Sequence, residues 1–427
     1  RVLFRSNKLK TNMININSQR INSQLYTKEE TYRSLRLPVD KASTLIPDSY
    51  TSKKFFELER EKIFANGWIA VGCLQQVSKP GNILVVEVAG RSILIVRDKK
   101  RNLGAFYNVC RHRGSKLIEE SCNRKSITCP YHAWNYGLDG KCLGTSMFNN
   151  NTGNNLNSSG KVNLEGDSSK FDKNKYGLLQ LEVKTWGFLI FVNLSHKPTK
   201  FDEWLGDLPE KFKSHGLDKW EISSEKNYDV NSNYKLIAEN FMEYYHLPFV
   251  HPELADISRI EDHYRFQGSG MYTGSLTTPV SRDVDSVWLN LPPVEGLEKK
   301  HNETAYHIWI FPNVAFTLLP NHAFCLITDP IKVNQTIERT FLLTPEGTLN
   351  NKRNTKMFSE LVKFWDLVNT QDLKIVERVQ DGLRNTAFSG GRMCFEFEEP
   401  LHRFQNWIAD KMCGIYRIPT GDDKQNL

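Results

Sequence analysis

Short apolar, β-branched runs separated by turn residues predict antiparallel strands in the first half of the chain. Two such runs, at 83–88 and 92–96, are joined by Ala89-Gly90, a short connection typical of a β-hairpin. Further strands are predicted at 103–109, 178–183 and 188–192. We therefore expect a small antiparallel β domain in this half of the chain.

From about residue 201 the pattern changes to a mixture of strands and helices. Strands are predicted at 305–311, 314–319, 322–328 and 336–343. Helices are predicted at 52–66, with Thr51 or Ser52 as N-cap, near 354–383, and around 400–412. Pro400 suits the first turn of the last helix, and Gly414 suits its end. This order predicts an α+β protein with a leader at 1–44, a first domain at 45–200 and a second domain at 201–427.

Length and composition exclude some classes of protein. A chain of 427 residues is long enough for two domains with ample cores. No apolar run approaches the eighteen or so residues that span a bilayer, which argues against a membrane-embedded protein. The Asn-rich segment 149–160 cannot bury enough apolar surface to order itself, so we predict a disordered surface insertion there.

The net charge of +7 is concentrated near the N-terminus. Residues 1–28 carry six basic residues and no acid, and the rest of the chain is nearly neutral. A nucleic-acid-binding protein would keep a basic stripe within its fold, so none is indicated. The leader resembles a transit peptide for a mitochondrion or plastid, with a disordered tail as the alternative. If translation starts at Met13, half the leader is lost and a cytoplasmic protein is expected.

A cysteine–histidine pattern is the strongest chemical signal. Cys110-Arg-His112 is followed, after sixteen intervening residues, by Cys129-Pro-Tyr-His132. Two thiolates and two imidazoles suit a [2Fe–2S] cluster of the Rieske kind, with cysteines on one iron and histidines on the other. Structural zinc and four scattered core residues are the alternatives. The short Cys-x-His spacing and the adjacent glycine and aromatic residues favour the iron–sulfur cluster.

A second motif predicts a mononuclear metal site. Residues 235–246 can form a helix, with Glu243 and His246 on one face. Pro248 is predicted to end or bend that helix, so that His251 reaches the same point. Two histidines and a carboxylate form the facial triad of non-haem Fe(II) oxygenases, although either histidine alone would suit a structural role. Spacing leaves the third ligand open among Asp366, Asp372, Glu377 and Asp381.

These motifs together resemble a known family. Segments 108–114, 129–134, 239–251, 371–383 and 399–404 resemble those of the Rieske non-haem iron oxygenases, in the ring-hydroxylating dioxygenase alpha-subunit superfamily. Within that family the resemblance is to the choline monooxygenase-like branch. Two details depart from it. Ala133 stands where the family usually has glycine, and the spacing from Asn240 to the first iron histidine is closer to microbial enzymes that act on quaternary ammonium compounds.

The resemblance implies a fold and a set of ligands. The fold would be a small antiparallel β Rieske domain plus a larger helix-grip-type catalytic domain, with a curved antiparallel sheet and a long C-terminal helix. The cluster ligands would be Cys110, His112, Cys129 and His132. The mononuclear iron ligands would be His246, His251 and Asp372. Glu243 would link a cluster histidine of one subunit to an iron histidine of its neighbour, which implies a homotrimer.

The implied activity is a monooxygenase that takes electrons from a ferredoxin or reductase and uses O2 to oxidise choline to betaine aldehyde hydrate, a step of glycine betaine biosynthesis. Demethylation of carnitine or glycine betaine, or hydroxylation of an aromatic ring, are alternatives. A non-catalytic Rieske electron carrier is another, but it would not need the second motif.

Aromatic residues are candidates for a cation-binding cage, because a quaternary ammonium group is recognised through cation–π attraction. The candidates are Tyr245, Phe249, Tyr306, Trp309 and Phe311. Trp309 and Phe311 share a strand face by their period-two spacing. Core packing is the alternative for each of them.

Overall fold

A computed structural model describes residues 22–146, 171–255, 258–278 and 287–418. The insertion predicted at 149–160, the first residues of the leader and Met13 lie outside these ranges. Across the ranges described, no helix combines the length and apolar character needed to cross a membrane.

The first domain is built of short antiparallel strands, as predicted. The strands are β1 (Ile69–Cys73), β2 (Asn82–Val88), β3 (Arg91–Arg97), β4 (Leu103–Tyr107), β5 (Cys122–Asn123), β6 (Ile127–Thr128), β7 (Asn135–Tyr136), β8 (Cys142–Gly144), β9 (Gln180–Trp186) and β10 (Leu189–Asn193). The main sheet has the order β1-β10-β9-β4-β3-β2-β5, and a small sheet has the order β6-β7-β8. The predicted hairpin is present, because Val88 pairs with Arg91 and the intervening Ala89 and Gly90 both have positive φ.

The second domain is a curled antiparallel sheet covered by helices. Its strands are β11 (Trp220–Val230), β12 (His263–Phe266), β13 (Tyr272–Thr277), β14 (Ala305–Ile310), β15 (Val314–Leu318), β16 (Ala323–Lys332) and β17 (Gln335–Pro345). Their order in the sheet is β11-β17-β16-β15-β14-β13-β12. The last four strands were predicted, and the first three were not.

Two long helices end the described chain, as predicted. The α-helices in chain order are α1 (Asp48–Thr51), α2 (Lys53–Glu59), α3 (Phe201–Leu205), α4 (Leu208–Lys211), α5 (Tyr234–Met242), α6 (Leu247–Val250), α7 (Pro252–Ala255), α8 (Lys299–Asn302), α9 (Lys352–Gly382) and α10 (Glu399–Cys413). The Ser52 hydroxyl caps α2, and a π-helical turn at Arg60–Phe64 extends it through the predicted range. Gly414, with φ +73°, ends α10.

The N-terminal segment 22–66 packs on the second domain. Tyr26, Tyr32 and Leu35 are buried in the main core, and the Arg36 guanidinium lies 2.7 Å from the Asp410 carboxylate on α10. The predicted boundary between 44 and 45 therefore does not coincide with a structural boundary. The charge pattern of residues 1–28 could not reveal this packing, because the segment is held on the second domain mainly by buried apolar side chains.

A second contact from this segment supports the helix that precedes the predicted iron ligands. Lys235 on α5 and Glu59 on α2 form an ion pair, with N–O distances of 2.7 and 2.9 Å and both side chains fully buried. The Tyr234 hydroxyl also donates to Glu59. Residues before the first domain are thus tied to the core of the second.

The two domains share one apolar core, and the first domain has a smaller core of its own. The shared core includes β1 and β10, and the Asn313 side chain bonds both the N–H and the carbonyl of Ala70 on β1. The smaller core lies under the cysteine–histidine loops and includes Phe106, Trp134 and Tyr136. The cluster motif is therefore carried by a separately packed unit.

Candidate metal centres and substrate cavity

Backbone hydrogen bonds shape the two cysteine–histidine loops in the same way. In the first loop, the Cys110 N–H donates to Ser115 and the Cys110 carbonyl accepts from Gly114. In the second, the Cys129 N–H donates to Trp134 and the Cys129 carbonyl accepts from Ala133. Each loop therefore turns back at its cysteine and brings the following histidine to the same end of the domain.

The ring and thiol contacts place the four predicted cluster ligands together. The His112 and His132 ring centroids are 4.7 Å apart, and the His112 ring stacks on Trp134. The Cys110 and Cys129 thiols are buried and interact with each other. These contacts bring the four residues together, and their role as cluster ligands stays a prediction.

A [2Fe–2S] cluster fits this donor set. The His132 Nδ1 atom is buried, and no hydrogen-bond partner for it lies among the residues described. An unpaired buried imidazole nitrogen is costly, and a bound iron would remove that cost. The Tyr136 hydroxyl lies 3.2 Å from Cys110 Sγ, where it can donate a hydrogen bond to a thiolate.

The second motif also converges. Ligand atoms of His246, His251 and Asp372 all lie within 4.8 Å of one another. Asp372 Oδ1 is 2.9 Å from His251 Nε2 and 3.4 Å from His246 Nε2. Asp372 is therefore the member of the four acidic candidates that meets both histidines.

The other three candidates on α9 have different partners. Asp366 bonds Lys226 and Tyr228, Glu377 accepts from Asn231, and the Asp381 carboxylate is exposed and bonds Arg384. Their roles are structural in this arrangement.

The route by which the histidines meet differs from the predicted one. Helix α5 ends at Met242, so Glu243 and His246 do not share a helix face. Glu243 is extended, and its carboxylate accepts the backbone N–H groups of Tyr245 and His246. Pro248 lies in the first turn of α6 and helps to begin that helix, where it was predicted to end or bend one. The side chain of Glu243 creates the turn.

Carboxylate and amide groups orient both imidazoles. Glu243 Oε1 is 2.5 Å from His246 Nδ1, and Gln371 Oε1 is 2.7 Å from His251 Nδ1. In both rings Nε2 is left to face Asp372, which is the arrangement found around metal-bound histidines. Burial lowers the pKa of His246, but hydrogen bonds to Asp372 and Glu243 outweigh it and raise that pKa to about 10. The surroundings thus favour positive charge at this point, as a bound Fe(II) would supply.

A cavity opens directly beside the three ligands and is enclosed by α5, α9 and the sheet. Its aromatic wall residues are Phe241, Tyr244, Phe324 and Trp365, with the Phe324 and Trp365 rings stacked at 4.6 Å. Polar wall residues include Ser258, His263, Ser275, His307, Thr317 and Glu338. Burial lowers the pKa of His263, and burial lowers that of His307 to about 3, so both imidazoles are neutral.

The aromatic residues predicted to contact substrate lie elsewhere. Trp309 and Phe311 are fully buried, and both pack on Phe404 in the core. Phe241 contacts Trp309 and itself lines the cavity, so it stands between Trp309 and the open space. Tyr245 is about half exposed and stacks on Phe397. Strand β14 ends at Ile310, so Phe311 lies just after the strand that carries Trp309, and both residues belong to the core, as the packing alternative allowed.

Comparison with known proteins identifies both domains. Residues 67–152 match the Rieske [2Fe-2S] domain, and residues 217–414 match the ring hydroxylating alpha subunit (catalytic domain). These two domains in this order define an oxygenase with a diiron cluster and a mononuclear iron. The chain belongs to the Rieske oxygenase superfamily, whose members are oxidoreductases that incorporate oxygen.

Three relatives illustrate the similarity. The glycine betaine monooxygenase oxygenase subunit of Pseudomonas aeruginosa is 24% identical over 87% of this chain and 90% of its own length. The chloroplastic choline monooxygenase of Amaranthus tricolor is 26% identical over 87% of this chain and 78% of its own. A solved quaternary ammonium Rieske monooxygenase, studied for carnitine oxidation by gut microbiota and inter-subunit electron transfer, has a TM-score of 0.72 at 25% identity, covering 88% of this chain and 99% of its own.

Proposed function

We propose that this chain is a monooxygenase of a quaternary ammonium compound and that choline is its substrate. The carrying observation is the aromatic-walled cavity that opens beside His246, His251 and Asp372. An iron held there has its substrate space next to it, and the aromatic wall suits a cation that cannot be recognised by hydrogen bonds to its nitrogen. The relatives' names support the same substrate class.

The ligand assignments are part of the proposal. Cys110, His112, Cys129 and His132 hold the cluster, while His246, His251 and Asp372 hold the iron. When bound, the cluster relays electrons and the iron activates O2. The reaction consumes choline, O2, two electrons and two protons, and it yields betaine aldehyde hydrate and water.

Electron delivery involves two partners in this proposal. A ferredoxin or a reductase supplies electrons to the cluster. Glu243 then links the His246 imidazole to a cluster histidine of a neighbouring subunit in a homotrimer, in keeping with the inter-subunit transfer studied in the solved relative. The organelle predicted from the basic leader remains a prediction, as does the cytoplasmic alternative.

The polar wall favours an alcohol. His263 and His307 are neutral, and the buried His307 Nε2 atom has no hydrogen-bond partner among the described residues, so it can bond a substrate without a full charge. Such groups suit the hydroxyl of choline. A carboxylate, as in carnitine or glycine betaine, would meet uncharged donors and lose more hydration than it regains.

Turnover with alternative substrates tests the proposal. The purified chain, reconstituted with iron and supplied with a ferredoxin and its reductase, is given choline, carnitine, glycine betaine or a simple arene. We expect O2 uptake coupled to betaine aldehyde formation with choline, and a lower rate with the two zwitterions. Coupled turnover of the arene alone would make the chain a ring hydroxylase. An intact cluster that cycles without oxidising any of the four compounds would instead favour an electron carrier.

A further inference from the structure

Glu338 is an acidic side chain that is buried and also lines the cavity. It lies on β17 and is 1% exposed. It pairs across the sheet with Thr328 on one side and Tyr228 on the other. A buried carboxylate therefore lies on the cavity-facing side of the sheet, where a charge costs free energy unless it is compensated.

The contacts of Glu338 leave its charge uncompensated by any neighbouring cation among the described residues. Its Oε1 accepts a hydrogen bond of 2.6 Å from the Asn369 amide. Burial raises the pKa of Glu338, the Asn369 hydrogen bond lowers it and the negative charge of Asp372 raises it, and the net result is a pKa of about 7.

Glu59 is a buried carboxylate in the same molecule whose negative charge is balanced by a cation. Its carboxylate is equally buried, but it receives two bonds from the Lys235 ammonium group. Buried charges in folded proteins are usually paired in this way. Glu338 is as buried as Glu59 but has no cationic partner among the described residues. Its side chain borders the cavity, whereas that of Glu59 is surrounded by packed side chains.

The position of Glu338 relative to the iron ligands is also defined. Asn369 and Asp372 are three residues apart on α9, so they lie on one face of the helix and about one turn, or roughly 5 Å, apart. The carboxylate that Asn369 holds is therefore close to the metal site. In choline only one methylene separates the nitrogen from the carbon that is oxidised, so a short spacing of this kind suits it.

We propose that Glu338 is the charge-selecting residue of the cavity. It binds the cationic headgroup of the substrate while the aromatic wall, including Phe324 and Trp365, encloses the methyl groups. The site therefore prefers a small cation over a neutral molecule of the same shape. This inference rests on the proposed function and adds the residue that sets its preference.

The test compares choline with its neutral carbon isostere, in which a tert-butyl group replaces the trimethylammonium group. In the wild-type holoenzyme we expect kcat/KM for choline to exceed that for the isostere by roughly 30-fold. Glu338→Gln keeps the shape and the Asn369 contact region but removes the charge. We expect it to reduce that ratio by about tenfold or more, mainly through KM for choline, with little change for the isostere.

A matched control separates charge selection from general damage. Glu239 is an acid on α5 that bonds Tyr50 and Gln405 and is not among the described residues that line the cavity. Glu239→Gln should leave the choline-to-isostere ratio unchanged. An unchanged ratio in Glu338→Gln would overturn the inference. If that variant does not fold, Asn369→Ala, which removes the hydrogen bond that positions the Glu338 carboxylate, replaces it. An unchanged ratio in Asn369→Ala, or equal use of choline and the isostere by the wild type, then overturns the inference.

The proposed function can fail separately. If the wild type, with a normal cluster spectrum and bound iron, oxidises no quaternary ammonium compound, the substrate class is wrong whatever Glu338 does. If it oxidises choline but the ratio is insensitive to Glu338, the function stands and the role of this residue does not.

Discussion

The two candidate metal sites are assembled in different ways. The cysteine–histidine site comes from two loops within residues 110–132, and each loop is closed by its own backbone hydrogen bonds. The three-ligand site takes His246 and His251 from the segment after α5 and Asp372 from α9, more than a hundred residues later. The first site therefore depends mainly on local chain geometry. The second depends on how helices pack, so distant substitutions can disturb it.

The largest expected effect separates the two sites by their ligands. His246→Ala should lower choline turnover more than about a hundredfold and remove the mononuclear iron, while the electron paramagnetic resonance signal of the reduced cluster is kept. Cys129→Ser should instead abolish the electron paramagnetic resonance signal of the cluster. Iron content per chain and the resonance spectrum measure both results. Normal turnover of His246→Ala would show that the iron assignment is wrong, and loss of both centres in either variant would show that they are not independently assembled.

An intermediate effect on stability is expected from the buried ion pair between Lys235 and Glu59, which supports the helix that precedes His246 and His251. Lys235→Met leaves Glu59 buried without its partner and should lower the free energy of unfolding by about 3–5 kcal/mol, as judged by urea denaturation. Burial raises the pKa of Glu59 and Lys235 opposes that rise, so removing Lys235 raises this pKa further. The loss of stability should therefore grow as pH rises through the range between the folded-state pKa of Glu59 in the wild type and its higher pKa in the variant.

The exposed pair Lys54–Glu57 provides the matched control, since both side chains are more than half exposed. Lys54→Met should change the free energy of unfolding by less than about 1 kcal/mol. Similar losses in the two lysine variants would mean that burial of the Lys235–Glu59 pair is not what matters.

The smallest effect concerns the backbone of the cluster loop. Ala133 has φ +55°, a left-handed conformation that glycine adopts more easily. Ala133→Gly should therefore raise the stability of the loop by about 1 kcal/mol or less, measured as slower loss of cluster absorbance in denaturant. Ala65, with φ −81°, is the control, and Ala65→Gly should be destabilising instead. A faster loss in Ala133→Gly would show that the side chain contributes more than its backbone strain costs.

Sequence predicted the local parts of the molecule well. The hairpin at Ala89-Gly90, the last four strands and helices α9 and α10 follow from period and turn chemistry that act over a few residues. The four residues proposed as cluster ligands could also be picked out from their spacing, because that spacing is local. Ala133 has a positive φ, a backbone conformation that glycine adopts with less strain.

The rest depends on packing that no local pattern encodes. Helix α5 ends early because the Glu243 side chain bonds the backbone ahead of it, with no glycine or proline to mark the stop. The sequence could not distinguish Asp372 from the other three acidic candidates, because the position of α9 relative to the two histidines decides which carboxylate reaches them. Glu338 had one weak signal, since strand alternation places it with the buried Thr336 and Thr340, but alternation does not say which face is inward.

The way in which residues 22–66 pack bears on how this enzyme can be recombined with its relatives. This segment precedes the β domain in the chain, but Arg36 and Glu59 fasten it to α10 and α5. A chimera that exchanges the electron-relay module should therefore be joined near residues 67 and 200. A junction near residue 44 would replace α2 together with the β domain. Lys235 would then lose the Glu59 carboxylate with which it forms a buried ion pair.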